Sequence, residues 1–240
     1  MKLESVGILI ALRPFEERDC IAHVFTRDHG VLAGMLKGAQ VAKRNRPLVG
    51  QAGEVSWNAR LDSHLGAFHW EAARNLSAAL MPNPKLLGCM NSAFALIAGL
   101  LPEREKYESL YDCTEKLLLE LAYRPPPGGG SQCENAARRI IDAGYLDVYI
   151  SWEKDLLREL GYALNLSSCS NCGSTAGLNY LSPRTGRAVC DECARPYQDK
   201  LFKLPLTPEV MRKFLGRIFE QQGGTLPLAR KLLGGDIWLN

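Results

Sequence analysis

Between Leu3 and Arg74 the chain alternates short apolar runs with turn-forming residues. The runs Leu3–Leu12, Cys20–Thr26, Val31–Lys37, Val49–Ala59 and Gly66–Arg74 are each of strand length, and Arg27-Asp28-His29-Gly30 and Asp62-Ser63-His64-Leu65-Gly66 punctuate them. Five strands with no convincing helix among them predict a small antiparallel barrel. At Pro82 the period changes. After Asn83-Pro84, a helix start, Leu86, Met90, Phe94, Ile97 and Leu101 recur every three or four residues as one apolar face. A second helix is expected over about Glu105–Tyr123, with Leu110, Leu117 and Leu121 as its stripe. Pro125-Pro126-Pro127-Gly128-Gly129-Gly130-Ser131 fits neither helix nor strand and reads as a surface loop within the helical part. Helical pattern resumes over Glu134–Leu160, where Tyr149, Trp152, Leu156 and Leu160 share a face, with Gly144 as a candidate break and Gly161 placed to end the helix. Thr207 and Pro208 then open a helix that turns Val210, Phe214 and Ile218 inward and leaves Arg212, Lys213 and Arg217 to solvent. Gly223-Gly224 stops it, and Thr225–Leu233 is expected to form a last short helix.

Between these helices the periodicity gives way to a different signal. Cys169 and Cys172 stand two residues apart, and Cys190 and Cys193 repeat that spacing after a gap of 17 residues. A two-residue spacer lets both sulfurs of a pair turn toward one point, and two such knuckles supply the four thiolates of a tetrahedral zinc site. Leu178–Leu181, the turn Ser182-Pro183-Arg184-Thr185-Gly186 and Arg187–Val189 read as a hairpin that returns the second knuckle to the first. The segment Ser168–Ala194 is thus expected to be a zinc ribbon holding one ion per chain. Four thiolates leave no open position for an activated water, so the metal would be structural. The competing readings are two disulfides, or four unrelated buried thiols.

At 240 residues and 46% hydrophobic content the chain can build one large core or two ordinary ones. Val6–Leu12 is too short and too closely flanked by Glu4, Arg13, Glu16 and Glu17 for a signal peptide, and no apolar run reaches membrane-spanning length. A soluble cytoplasmic protein with no membrane partner is the expectation. In a reducing compartment Cys20, Cys89, Cys113 and Cys133, which share no spacing, read as small hydrophobes. The net charge of +3 permits nucleic acid as a partner without demanding it.

The charge distribution is more informative than its sum. His29–Gly53 contains no acidic residue and holds Lys37, Lys43, Arg44 and Arg46, with Gly34, Gly38 and Gly50 between them. On a barrel such a loop could track phosphates, each neutralised phosphate releasing counterions; a plain solvated loop is the alternative. Trp57, Phe68 and Trp70 alternate on strands and read as core rather than as base-stacking rings. His23, His29, His64 and His69 show no metal spacing. Neither a Walker-type phosphate loop nor a serine nucleophile elbow is present, and nothing resembles an active site, so no enzyme is expected.

Three motifs agree on a family. Gly7-Ile8-Leu9 through Arg13-Pro14-Phe15, with Glu17, Asp19, Phe25-Thr26-Arg27-Asp28-His29-Gly30 and Lys37-Gly38-Ala39, resembles the amino-terminal oligonucleotide-binding (OB) domain of the RecO recombination mediators. Trp57-Asn58-Ala59-Arg60-Leu61 with Leu65-Gly66 is similar to the end of that domain. Cys169, Cys172, Tyr180, Ser182-Pro183-Arg184, Gly186, Cys190 and Cys193 resemble the zinc-bearing form of the same family. The fold implied is α+β and multidomain: a five-stranded OB-fold β-barrel over residues 1–80, then an α-helical domain over residues 81–240 with an inserted four-cysteine zinc ribbon at 168–194. The function implied is non-enzymatic DNA repair and recombination. Such a protein binds single- and double-stranded DNA, anneals complementary strands and, with RecR, helps load RecA onto DNA coated by single-strand-binding protein, associating with the nucleoid during repair. Lys37, Lys43, Arg44 and Arg46 fall in the family's basic loop, where this sequence departs with Gln40 in place of a common basic residue and Asn45 in place of the usual serine. The acidic, apolar-tipped tail of single-strand-binding protein would need a hydrophobic pocket rimmed by cations. Arg138 and Arg139 beside Ile140-Ile141, or Arg212, Lys213 and Arg217 beside Phe214 and Leu215, could provide it. A zinc-ribbon transcription or translation factor and a nucleic-acid-modifying enzyme are the rival readings.

Overall fold

The structure, a computed structural model, describes residues 1–42, 46–60, 65–123 and 133–233, with the backbone alone for 133–143. By Cα packing the chain divides into two compact units, Met1–Asp142 and Ala143–Asn240. The change from strands to helices comes after Asn75, a few residues before the change of period at Pro82, while the packing boundary comes later.

In the first unit the five apolar runs form β1 (Lys2–Phe15), β2 (Asp19–Thr26), β3 (Gly30–Leu36), β4 (Gln51–Asn58) and β5 (Gly66–Asn75). They close a barrel in the order β1-β2-β3-β5-β4, antiparallel except where β3 meets β5. This is the oligonucleotide-binding fold. Closure is tight and needs glycine: a Cβ on Gly66 would stand 2.1 Å from the Trp57 ring. Leu9, Cys20, Ala22, Val24, Leu32, Leu36, Val55, Trp57 and Phe68 fill the interior, each larger apolar side chain contributing about 1.5–3 kcal/mol by burial. The Trp57 indole N–H donates to the Ala33 carbonyl at 2.9 Å, so the largest interior ring leaves no unmet donor.

The run Gly7-Ile8-Leu9-Ile10 is buried throughout, which strict alternation does not explain. A helix covers the outer face there. The short α1 (Leu76–Leu80) is followed by α2 (Pro84–Leu100), which packs on β1. Asn83 caps α2 by accepting from the N–H groups of Lys85 and Leu86, and the buried face is Leu86, Met90, Phe94, Ile97 and Leu100. The next helix, α3, runs Glu108–Tyr123 and starts later than the expected Glu105, because residues 103–105 first run alongside the start of β3. Glu103 bridges to Val31, the Arg104 N–H donates to the Val31 carbonyl at 2.9 Å, and a Cβ on Gly30 (φ 64°) would collide with the Glu105 carbonyl. Phe25 and Tyr111 meet at 5.6 Å between ring centroids, and Arg27 forks onto Asp112 and also reaches Glu108. That pairing holds the Asp112 carboxyl below the usual carboxylate range. Being exposed, these ions orient α3 more than they stabilise it.

The long helix α4 (Cys133–Glu159) crosses the packing boundary and passes through Gly144 without the break expected there; the Pro125–Ser131 connector lies outside the described residues. In the second unit Tyr149, Trp152, Leu156 and Leu157 of α4 are buried. A three-stranded sheet follows, β7 (Ala188–Val189), β6 (Tyr180–Leu181) and β8 (Phe202–Lys203) in spatial order, with α5 (Asp191–Ala194) and a 3-10 turn (Arg195–Lys200) between β7 and β8. Then come α6 (Pro208–Gln221) and α7 (Leu228–Leu232). Thr207 caps α6 as expected, but the buried face is Met211, Phe214, Leu215, Ile218 and Phe219, and Val210 is only half-buried.

A buried ion pair lies within this unit. Arg230 of α7 and Glu153 of α4 are both fully buried, and the guanidinium pairs with both carboxylate oxygens. It also donates to the carbonyls of Pro208 at 2.9 Å and Leu233 at 3.4 Å, and its charge lies 5.8 Å from the Tyr149 ring centroid. Burial pushes the Glu153 carboxyl up, and the charge and hydrogen bonds of Arg230 pull it back.

Candidate metal centre and nucleic-acid surface

The second unit brings all four knuckle cysteines together. The sulfurs of Cys169, Cys172, Cys190 and Cys193 lie within 4.8 Å of one another, and those of Cys172 and Cys190 are 3.6 Å apart. A tetrahedral ion with metal–sulfur bonds of about 2.3 Å requires sulfur edges of roughly 3.8 Å, so this donor set fits one four-coordinate ion. Local geometry explains the convergence. The Gly173 N–H bonds back to the Cys169 carbonyl, closing the first knuckle with Gly173 at φ 76°. The hairpin turn then places Tyr180 opposite Val189, which sets Cys190 against Cys169. The Asn179 amide donates to both carboxylate oxygens of Asp191, fixing the start of the turn that carries Cys193.

The environment also prepares the sulfurs for charge. Cys169 accepts the N–H groups of Cys190 at 3.4 Å and Asn171 at 3.5 Å, and Cys193 accepts the Asn171 side-chain amide at 3.3 Å. Backbone N–H donors, those of Cys172, Cys190 and Asn171, bring the Cys169 thiol down to about 6. For Cys172 the Ser174 N–H pulls downward, but crowding by the other three sulfurs prevails and pushes the thiol up to about 12. Four like charges at this spacing cannot coexist without a cation, and a divalent ion would supply the missing charge. Binding therefore displaces protons and weakens as pH falls.

On the barrel, Lys37 and Arg46 are exposed on the segment between β3 and β4; Lys43, Arg44 and Asn45 lie outside the described residues. Gln40 is half-buried and anchors this segment to the β1–β2 turn. Its side-chain amide donates to the carbonyls of Glu16 at 3.0 Å and Asp19 at 2.6 Å, and the Gly38 N–H donates to the Asp19 carboxylate at 2.7 Å. A glutamine here thus serves geometry where a cation would serve charge. Glu16 itself holds a left-handed backbone (φ 53°), a strain that the Gln40 bond helps to hold. Trp57 and Phe68 are interior residues and Trp70 packs against the same core. His23 and His29 are half-buried and His69 is exposed, in unrelated places; His64 lies outside the described residues.

Arg212, Lys213 and Arg217 share one surface of α6 and line a groove of about 520 Å³ with Phe202, Leu226 and Lys231. Arg217 lies 5.6 Å over the Phe202 ring, while Lys213 is paired with Glu209 at 2.8 Å. Sequence reasoning does not single out Phe202, Leu226 or Lys231, since a two-residue strand, an irregular link and a five-residue helix carry no period. The side chains of Arg138 and Arg139 lie outside the described residues. Among the described residues no helix is long and apolar enough to cross a membrane.

Comparison with known proteins covers both units. The family described as "Recombination protein O N terminal" matches residues 1–74, and "Recombination protein O C terminal" matches residues 140–221. The chain is 36% identical over 208 residues to the DNA repair protein RecO of Granulibacter bethesdensis, covering 85% of this chain and 76% of the relative. It is 37% identical over 207 residues to that of Dinoroseobacter shibae, covering 85% and 77%. Against that of Rhodospirillum centenum it is 37% identical over 209 residues, covering 85% and 76%.

Proposed function

This chain belongs to the RecO family of DNA repair proteins, and from that premise we propose that it acts as a recombination mediator. In this reading it binds single- and double-stranded DNA, anneals complementary strands and, with RecR, helps RecA load onto DNA coated by single-strand-binding protein. It works in the cytoplasm at the nucleoid and turns over no substrate. The observation that carries the reading is the match of both family halves to a chain whose barrel exposes Lys37 and Arg46 on one basic segment. The cysteine site holds one structural zinc ion, the divalent metal that four thiolates in a closed tetrahedron suit best.

On the DNA side Lys37, Arg46, Lys43 and Arg44 contact phosphates, and phosphate contacts carry no sequence information. Replacing Lys37 and Arg46 together by glutamine should weaken binding equally for unrelated sequences. It should also lower the slope of log K against log salt by about 1.4–1.8, the value for two lost contacts on single or double strands. An unchanged slope moves the phosphate track elsewhere. Annealing of complementary strands should proceed without ATP, with and without single-strand-binding protein, and fall in the same variant.

On the partner side the groove beside α6 has the attributes an acidic, apolar-tipped tail needs: Phe202 and Leu226 as apolar lining, with Arg212, Arg217 and Lys231 at its rim. Charge-assisted hydrogen bonds are worth about 1.5–3 kcal/mol each, so reversing Arg212 and Arg217 should cost a tail peptide at least roughly tenfold in affinity while annealing of naked strands persists. Normal peptide binding by that variant, with loss on reversing Arg138 and Arg139, would transfer the site to α4.

A further inference from the structure

The two ends of β5 differ in their neighbours. At its start the strand lies between β4 and β3, but among the described residues β3 pairs with it only at Gly66 and Ala67. From Phe68 to Ala72 only β4 accompanies it, through Trp57, Ser56, Val55, Glu54 and Gly53. Ala73 has no opposite residue on β4 and forms a bulge, and beyond it Arg74 pairs with Glu115 of α3, so the free edge is bounded at both ends. Such an edge carries backbone N–H and C=O groups that lack a ladder partner. The Trp70 indole N–H, on the same stretch, is buried with no acceptor among the described residues. His69, Glu71 and Ala72 are exposed.

The outer face beside this edge is acidic. Strand register sets Val6, Glu54 and Glu71 in one row across β1, β4 and β5, and Glu4, Ser56 and His69 in the next. Together they line a groove of about 560 Å³. Glu4 is paired with Lys2, and Glu71 lies 3.0 Å from the His69 ring nitrogen, whereas Glu54 makes no ion pair among the described residues. Glu54 and Glu71 stand directly opposite each other, a placement of like charges that destabilises a sheet. A single charge on the edge deters aggregation, so edge protection accounts for Glu71 and leaves Glu54 unexplained.

We propose that the β5 edge and its acidic groove are a docking site for an extended segment of a partner protein, rich in lysine or arginine, which adds to the barrel as a further strand. Main-chain hydrogen bonds along Phe68–Ala72 supply affinity, and the carboxylates select the side chains. A strand added about 4.8 Å from β5 continues the outer rows, so a cation beside Glu71 has Glu54 in the next strand of the same row. The same charges exclude two other occupants. DNA would bring its phosphates against Glu54 and Glu71. A second copy of this chain, paired antiparallel along the edge, would set two acidic grooves side by side on one continuous sheet face. The surface is independent of the DNA-binding reading, since the basic segment between β3 and β4 takes no part in it.

The test uses the full chain and a short fluorescent peptide that alternates lysine with valine, so that as a strand it carries its cations on one face. One control replaces every lysine by glutamate. A second is N-methylated throughout, which keeps the charges and removes the strand hydrogen bonds. The lysine peptide should bind, and each control should bind about tenfold more weakly or worse. Glu54→Gln combined with Glu71→Gln changes two exposed side chains and should cost the lysine peptide roughly tenfold in affinity. Hydrogen exchange should show amides of Phe68–Ala72 protected when the peptide is bound. Binding that ignores N-methylation, or protection that leaves β5 unchanged, would reduce the interaction to bulk charge attraction and overturn the docking site. Unchanged peptide affinity in the double variant would overturn it as well. Protection of the same β5 amides in a peptide-free dimer would assign the edge to a second copy, against the proposal.

Discussion

Replacing Arg230 with methionine is expected to destabilise the second unit by about 3–5 kcal/mol, the usual cost of leaving one member of a buried ion pair without its partner. The variant strands the Glu153 carboxylate where no water reaches it, and it also removes the donors to the Pro208 and Leu233 carbonyls. For a unit of this size each kcal/mol moves the melting temperature by roughly 4 °C or more, so calorimetry should show a transition lowered by about 12 °C at least. The deficit should depend on pH with a definite sign. Without Arg230 the upward push of burial on the Glu153 carboxyl, the largest influence on it, is opposed only by the Tyr149 hydrogen bond, the smallest, so its folded pKa stands above the unfolded value. Such a group favours folding at low pH and loses that contribution as pH rises through the folded pKa, so the variant's deficit should shrink on acidification. The paired variant Glu153→Leu with Arg230→Met should recover most of the loss, because two apolar side chains replace two ions without leaving either orphaned. A single variant that melts with the parent would mean that the pair is not closed from water.

The second large effect is at the cysteine site. Protein purified without chelator should contain one zinc ion per chain by elemental analysis, and Cys190→Ser should lose it. Structural zinc contributes about 10–16 kcal/mol of apparent binding energy in small cysteine and histidine sites, and that energy is local folding energy. Chelation or Cys190→Ser should therefore open Ser168–Ala194 to proteases, with acid favouring release because the Cys172 thiol, pushed up to about 12, holds its proton strongly. Metal-free protein with unchanged protease resistance would refute the assignment.

These two features differ in how visible they are in the sequence. The knuckles are legible because metal geometry dictates spacing, and the spacing survives as text. Arg230 is not, since an arginine in Leu228-Ala229-Arg230-Lys231-Leu232 has the pattern of a surface residue, and its partner Glu153 is 77 residues away. The strands were readable because barrel burial imposes alternation, and Asn83-Pro84 and Thr207-Pro208 marked helix starts because capping chemistry is local. The free edge of β5 escaped that reading for a physical reason. Alternation reports which face of a strand is buried and says nothing of whether a neighbour lies alongside, so β5 reads like any paired strand. Gly144 was a candidate break because glycine weakens helices, but a penalty of about 1 kcal/mol does not interrupt a helix of 27 residues.

The helical cover on the barrel also decides where the protein can be cut. Ile8, Ile10, Phe25 and Val31 are apolar and fully or nearly fully buried, yet they lie outside the barrel's own interior cluster. Severing the chain after Asn75 would leave an intact hydrogen-bonded cylinder with a greasy band on its side, prone to self-association. A fragment ending at Tyr123 keeps α2 and α3 over that band, and with it the Phe25–Tyr111 contact and the Arg27–Asp112 fork. In evolutionary terms the barrel is not a freely transplantable module: wherever it travels, it must bring its own roof.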